Sequence, residues 1–340
     1  MRTVSERAAQ TEDGAVVKEL GHGRGPDASR LHSVLAWREA YFVPLMLVAL
    51  VVVLSHLSDV FFTPRNLGQI LIQAVVLGIA AVGVTFVIVA GDLDLSIGST
   101  VALSGVVAAY GMTSVTSSVL VGTLLGLLTG ICVGIVNGLL TAYLNVPAFI
   151  STLGVGVVAT GLALYVTSGL TVAGLPPAFQ ALATTRILGL ESMVWLMLLT
   201  FAVGAVVLHR TVFGSAVFAT GGNREAAYMV GIPVARVRFA NFVIAGACGG
   251  LGGVLLTSRI LASQPGAGTT LTLFATAAVI LGGTSIIGGS GSMLRSAFGV
   301  LLIAVVQNGL AVLGVDYALQ QVAVGLVFIL AACSEVLRRR

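Results

Sequence analysis

Lysine is all but missing from this chain: Lys18 is the only one in 340 residues. Glu19 follows it, so there is no G-x-x-x-x-G-K-[ST] phosphate loop, and the chain cannot hydrolyse ATP by that route. Charge of either sign is scarce. Asp, Glu, Lys and Arg make up 9% of residues, against about 25% in soluble domains, while 57% are hydrophobic. No charge at all falls between Leu95 and Thr185, a run that ordinary soluble folds do not keep in solution. Cys132, Cys248 and Cys333 each sit alone in an apolar stretch, which excludes a disulfide framework and a cysteine metal cluster. His22, His32, His56 and His209 are scattered, so no metal site is expected. A cleavable signal peptide is not expected either, because residues 1–37 are polar and of mixed charge, and the first apolar run begins near Tyr41. That stretch reads as a disordered cytoplasmic tail. Its "GHGRG" (Gly21 to Gly25) has only a superficial likeness to a nucleotide loop, since no strand precedes it.

What is abundant is apolar sequence rich in glycine, with 43 glycines in all. In a bilayer, small residues let helix backbones approach closely. The chain is therefore expected to be an all-α polytopic membrane protein, its membrane-spanning body covering residues 38–340. With about 20 apolar residues per span, about ten spans are expected. They fall near 41–59, 68–90, 96–113, 117–143, 148–168, 192–209, 237–257, 273–289, 296–313 and 318–335. Arginines test the orientation. One side of the alternating loops collects Arg38, Arg210, Arg224, Arg236, Arg238, Arg295 and Arg338 to Arg340; the other has Arg65, Arg186 and Arg259. Nine against three puts both termini in the cytoplasm and the loops near 169–191 and 258–272 outside. The net charge of +4 is this bias, and no nucleic-acid partner is expected.

"VIVAGDLDLSIGS" (Val87 to Ser99) interrupts the pattern. A carboxylate at the bilayer centre costs about 2.5–3.5 kcal/mol on insertion scales, so Asp92 and Asp94 need a reason. Gly91 breaks a helix, and Asp94 or Ser96 can cap the helix that resumes. No basic residue lies nearby in sequence, which favours capping for both aspartates over a place on a transport path, in gating or in proton coupling. "LGGTSIIGGSGS" (Leu281 to Ser292) is a second glycine-rich break, holding Gly283, Thr284 and Ser285. Two breaks in the two halves are a sequence pointer to a transport site. Asn137-Gly138-Leu139 and Asn308-Gly309-Leu310 point to an inverted repeat. With Asn145, Gln264 and Gln307, those asparagines and the Thr284–Ser285 pair are the polar groups in or near spans. Each can bond a neighbouring helix or a solute hydroxyl.

Between spans six and seven, "NREAAYMVGI" has helix composition, with Gly222 in front and Gly231-Ile232-Pro233 behind. It reads as a short amphipathic helix outside the membrane, in a coupling segment covering 214–236. It can simply join two spans, or it can be a helix on which a cytoplasmic partner pushes.

Three motifs in order resemble one known family. Glu225-Ala226-Ala227 followed after three residues by Gly231 is similar to the EAA-x3-G element of ATP-binding-cassette importer permeases. "GDLDLSIGS" and "AAVILGGTSIIGGSGS" (Ala277 to Ser292) resemble signatures of the branched-chain amino acid and monosaccharide permease family, on its ribose, xylose and rhamnose side. "NGL" near Asn308 fits as well, and the likeness covers about residues 40–337. One departure stands out. Where the family often carries a Tyr-Glu-Leu-Asp stretch, this chain reads Leu271-Thr272-Leu273-Phe274, without a carboxylate. The I-x-L-P ending after the coupling element is also absent.

The resemblance implies a permease in the bacterial inner membrane that passes a monosaccharide or related polyol. A cytoplasmic ATP-binding subunit would grip Glu225, Ala226, Ala227 and Gly231, and an extracytoplasmic sugar-binding protein would deliver the solute. A second permease chain, identical or a paralogue, would complete the pair. No cofactor is implied for this chain; ATP would be bound by the partner. Asp92, Asp94, Ser96, Asn137, Gly283, Thr284, Ser285 and Asn308 are the candidates for the helix break and the translocation path. A rival reading is an ion-coupled secondary transporter using Asp92 and Asp94. Enzymes fit poorly: "GGSG" (Gly288 to Gly291) resembles a rhomboid serine site, but no histidine follows His209. An intramembrane aspartyl protease needs its two aspartates on different helices, and these lie two residues apart.

Overall fold

A computed structural model describes the backbone of residues 26–338 and the side chains of residues 42–326 and 329. The chain divides into two units, Met1–Phe42 and Val43–Arg340, and every candidate site residue belongs to the second. Of the expected tail, residues 1–25 lie outside the described residues, and 26–37 belong to the first helix.

Thirteen helices succeed one another among the described residues. They are α1 (Pro26–Leu57), α2 (Pro64–Val89), α3 (Ile97–Tyr110), α4 (Val119–Gly138), α5 (Ala148–Thr167), α6 (Pro177–Thr184) and α7 (Ser192–Arg210). Then come α8 (Val212–Gly222), α9 (Arg224–Met229), α10 (Val234–Ile260), α11 (Leu271–Leu281), α12 (Met293–Val312) and α13 (Tyr317–Arg338). The one small sheet among the described residues pairs β1 (Arg186–Ile187) with β2 (Leu190–Glu191). Helices α3 and α4 each run on through a wide π turn, Gly111–Val115 and Leu139–Tyr143. With those turns included, seven helices are long and apolar enough to cross a membrane: α2, α3, α4, α5, α7, α10 and α12. Phe42–Leu57 of α1, α8 and α11 are apolar but shorter.

Local chemistry sets the starts. Thr63 caps α2 by accepting the Asn66 amide at 3.3 Å, and Pro64 sits where a missing N–H costs nothing. Ser118 and Thr211 do the same for α4 and α8, accepting Val121 N at 3.4 Å and Gly214 N at 3.2 Å. Burial separates the inner helices from the outer ones. In α2, 89% of the apolar stretch is buried, against 28% in each of α4, α5 and α7, so α2 is the axis and the others carry the lipid-facing surface.

Helices α3 and α10 are inner as well, and α10 packs on α2, α3 and α4. Its tightest contact with α4, at Gly130 and Gly134, is made by backbone. Gly122, Gly126, Gly130, Gly134 and Gly138 recur every fourth residue of α4, all buried. A Cβ on Gly130 would run into Gly246 and Gly250 of α10, and one on Gly134 into Phe242 and Val243. Lipid gives apolar side chains no reason to associate, so van der Waals contact between bare backbones supplies the attraction. At the far end of α10, Ser258 Oγ donates to Phe179 O of α6 at 2.6 Å. Val172 and Ser263 exchange backbone hydrogen bonds there, both 2.9 Å. With 27 residues, α10 is about 40 Å long.

One expected span changes. The sequence predicts a continuous helix over 273–289, but α11 stops at Leu281. Gly283, with φ +85°, turns the chain away, and residues 282–292 form a loop. Backbone groups of that loop are bonded within the protein rather than along a helix.

Candidate functional site

The two glycine-rich breaks meet. At the first, α2 ends at Val89, Gly91 takes φ +77°, and α3 resumes at Ile97. At the second, Gly288 and Gly289 take φ +96° and +72°. The Gly289 amide donates to Val89 O at 2.9 Å. A Cβ on Gly288 would lie 2.7 Å from Gly91 Cα. The end of α8 enters the same place: a Cβ on Gly221 would overlap Val89 O and lie 2.6 Å from Gly289 N. Three backbones thus converge within contact of one another, a packing possible only without side chains.

Asp94 accepts a freed amide at the break, as expected, but closes the turn before α3 rather than capping its first turn. Its Oδ1 accepts the Ser96 amide at 2.8 Å and the Ser96 hydroxyl at 2.6 Å. Asn137 Nδ2 of α4 donates to Ser96 Oγ at 2.7 Å, so Asp94, Ser96 and Asn137 form one buried chain of hydrogen bonds. Ser96 is the N-cap residue of α3, yet its own side chain makes no capping bond. The neighbouring freed amides are met from farther away. Leu95 N donates to Thr152 Oγ1 of α5 at 3.0 Å, and Gly98 N to Thr272 Oγ1 of α11 at 3.0 Å. Thr272 lies in the stretch without carboxylates, and a neutral hydroxyl accepts there.

Asp92 departs from the capping expectation. Both oxygens are taken by arginines distant in sequence. Arg238 Nε donates to Oδ2 and its Nη2 to Oδ1, each at 2.8 Å. Arg224 Nη2 donates to the same Oδ1 and to Gly91 O, again at 2.8 Å. The pairing is unequal in burial: the side chains of Asp92 and Arg238 are 4% and 9% exposed, that of Arg224 43%. Sequence reading missed both partners. The signal was available in part, since Arg238 sits just inside an apolar span, and opposite charges embedded in spans pair with one another.

Arg224 is the first residue of α9. Asn223 caps this helix, its Oδ1 accepting Ala226 N at 3.0 Å. Ala227 is buried, while Glu225, Ala226 and Gly231 are exposed, and so are the apolar side chains of Tyr228, Met229 and Val230. Gly231, with φ +85°, ends the element. A groove of about 900 Å³ opens beside it, lined in part by Tyr143, Asn145, Arg224, Glu225, Tyr228 and Arg238.

The remaining candidates do not share one environment. Thr284 is fully buried and its hydroxyl has no partner among the described residues; Gly283 and Ser285 are half-buried. Ser285 closes the second loop, its amide donating to Ser290 O at 3.1 Å. Asn308 belongs to a different contact. It exchanges amide hydrogen bonds with Asn66 of α2, at 2.9 and 3.1 Å. Asn137 keeps a buried Oδ1 without a partner among the described residues. No cluster of metal-ligating side chains occurs among the described residues.

Known proteins resemble the chain along most of its length. Residues 66–332 match the family described as branched-chain amino acid transport system / permease component. The chain is 41% identical to the ribose import permease protein of Bacillus subtilis over 289 residues, 84% of this chain and 89% of that protein. It is 35% identical to the ribose import permease protein of Escherichia coli K12, over 89% of this chain and 96% of that one. The L-arabinose ABC transporter permease protein of Azospirillum brasilense is 36% identical, over 87% of each chain. No solved structure matches.

Proposed function

This chain belongs to the branched-chain amino acid transport system permease family and is a multi-pass membrane transport subunit, and from that premise we propose that it is the permease of an ATP-binding-cassette importer for a monosaccharide. The observation that carries the sugar reading is the identity to ribose and arabinose permeases along nearly the whole of each chain. The substrate class is a neutral pentose, hexose or polyol. Hydroxyls suit a path supplied with asparagine, serine and threonine rather than free charge.

The mechanism rests on what the chain has and lacks. With no phosphate loop of its own, it takes its drive from a separate ATP-binding subunit. Exposed Glu225, Ala226, Tyr228, Met229 and Gly231 on and after α9 are where that subunit docks. An extracytoplasmic binding protein delivers the sugar to the opposite end, near the Val172–Ser263 bridge and the β1–β2 hairpin. The arginine bias supports a cytoplasmic α9, cytoplasmic termini and an inner-membrane location, with α1, α11 and α13 completing about ten transmembrane segments. A second permease chain, a copy or a paralogue, completes the assembly. The break residues Asp94, Ser96, Asn137, Gly283, Thr284 and Ser285 are candidates for the path. Ion coupling through the aspartates is the weaker reading, because both oxygens of Asp92 already accept from guanidinium groups.

The test is purification of the chain from its native membrane in mild detergent, with mass spectrometry of what co-elutes. A stoichiometric subunit bearing a phosphate loop is expected. Elution without any ATPase, even after cross-linking, would overturn the importer reading.

A further inference from the structure

We propose that Asp92 is the joint through which a push on α9 reaches the break between α2 and α3, with Arg238 as its fixed arm and Arg224 as its movable one.

The asymmetry of the two arms carries the argument. Arg238 holds both oxygens of Asp92 in a fork, and both side chains are nine-tenths or more buried. Parting a buried pair of this kind strands a charge in low dielectric, so this arm stays closed. Arg224 reaches the same carboxylate from α9 through one nitrogen, with its side chain 43% exposed. Water can take over both of its hydrogen bonds, so this arm opens at little cost.

The placement of the two arms decides what they transmit. Arg238 belongs to α10, the inner helix packed on α2, α3 and α4. Arg224 is the first residue of α9 and sits next to the docking surface, two residues after Gly222, where α8 ends. Its Nη2 bonds Gly91 O as well as Asp92 Oδ1, both at 2.8 Å, and so spans the turn at which α2 gives way to the break. A displacement of α9 draws Arg224 off that turn, while Arg238 keeps Asp92 anchored. The break then has two discrete arrangements, with the turn clasped or released, which is the physical requirement for a switch. The Gly289–Val89 hydrogen bond passes the same event to the second break. Asp92 and Arg224 are thus positioning residues and do not touch sugar.

The inference rests on the reading that an ATP-binding subunit docks at α9. Its test uses the full transporter, permease with ATPase subunit and binding protein, in proteoliposomes, and reads sugar imported per ATP hydrolysed. Arg224→Gln is expected to lower that ratio about tenfold with the ATPase subunit still co-purifying, while Arg224→Lys, which keeps the charge, recovers most of it. A wild-type ratio for Arg224→Gln overturns the proposal. So does loss of the ATPase subunit from that variant, which would make Arg224 a docking contact. If the unmodified assembly imports no sugar with ATP, the importer reading itself fails, and that result is visible before any variant is compared.

Discussion

The amide of Gly289 donates to the carbonyl of Val89 at 2.9 Å, fastening the second break to the last residue of α2. Gly221 of α8 packs on both atoms, and its added methyl would overlap Val89 O. Gly221→Ala is therefore expected to destabilise the chain by about 1–3 kcal/mol or to force the breaks apart. Gly222→Ala, where a Cβ meets nothing within 4 Å, is the matched control. Thermal unfolding in detergent compares them, and equal midpoints would show that the three backbones have room to separate.

Removing one half of the buried pair should hurt more than removing both. Arg238→Leu leaves Asp92 buried with only its half-exposed partner, at an expected cost of about 3–5 kcal/mol. Asp92→Leu combined with Arg238→Leu should be the milder change. A double variant as unstable as the sum of the singles would mean that the two side chains act independently.

Asp94 serves as an acceptor, so an amide should largely replace it. Asp94→Asn keeps an oxygen for Ser96 N and Oγ, whereas Asp94→Leu strands two buried donors at about 1–3 kcal/mol each. Asn is expected to be the milder substitution in both unfolding midpoint and sugar uptake. Equal loss of uptake in the two would assign the negative charge itself a role.

Asn308→Leu should cost about 1–3 kcal/mol by leaving Asn66 Oδ1 unpaired, since only Asn66 Nδ2 keeps a partner, Phe61 O at 2.9 Å. Asn66→Leu with Asn308→Leu should recover part of it. If uptake falls far more than stability in these variants, Asn308 contacts solute after all.

Gly231→Ala isolates backbone conformation, because nothing lies within 4 Å of the new Cβ but φ is +85°. The left-handed residue should cost about 1–2 kcal/mol and reshape the end of α9. Uptake should fall in this variant and in Glu225→Lys while both still insert. Normal ATP-dependent uptake in either would remove the segment from the docking surface.

What the sequence disclosed about the site depended on distance along the chain. The Asp94–Ser96 contact spans two residues, and glycine next to polar groups marked both breaks, so these were legible. The arginines on Asp92 lie 132 and 146 residues away, and an apolar run carries no sign of which distant helix folds against it. The composition of α9 gave its existence, while its Asn223 cap emerged only from the structure. The early end of α11 was hidden because Ile286 and Ile287 keep the window apolar while the backbone has already turned. The π turns closing α3 and α4 leave no signature in periodicity.

The backbone seam between α4 and α10 has a further consequence. Gly130, Gly134 and Gly138, spaced four apart, act as teeth against the main chain of α10, and each tooth has one slot. Sliding either helix by a single position would drive β-carbons into the opposing main chain between Gly130 and Gly138, which disfavours any neighbouring alignment. Contacts this close are expected to carry the two helices through a transport cycle as one unit. For the same reason, a one-residue insertion or deletion in the middle of either helix would throw the remaining teeth out of step.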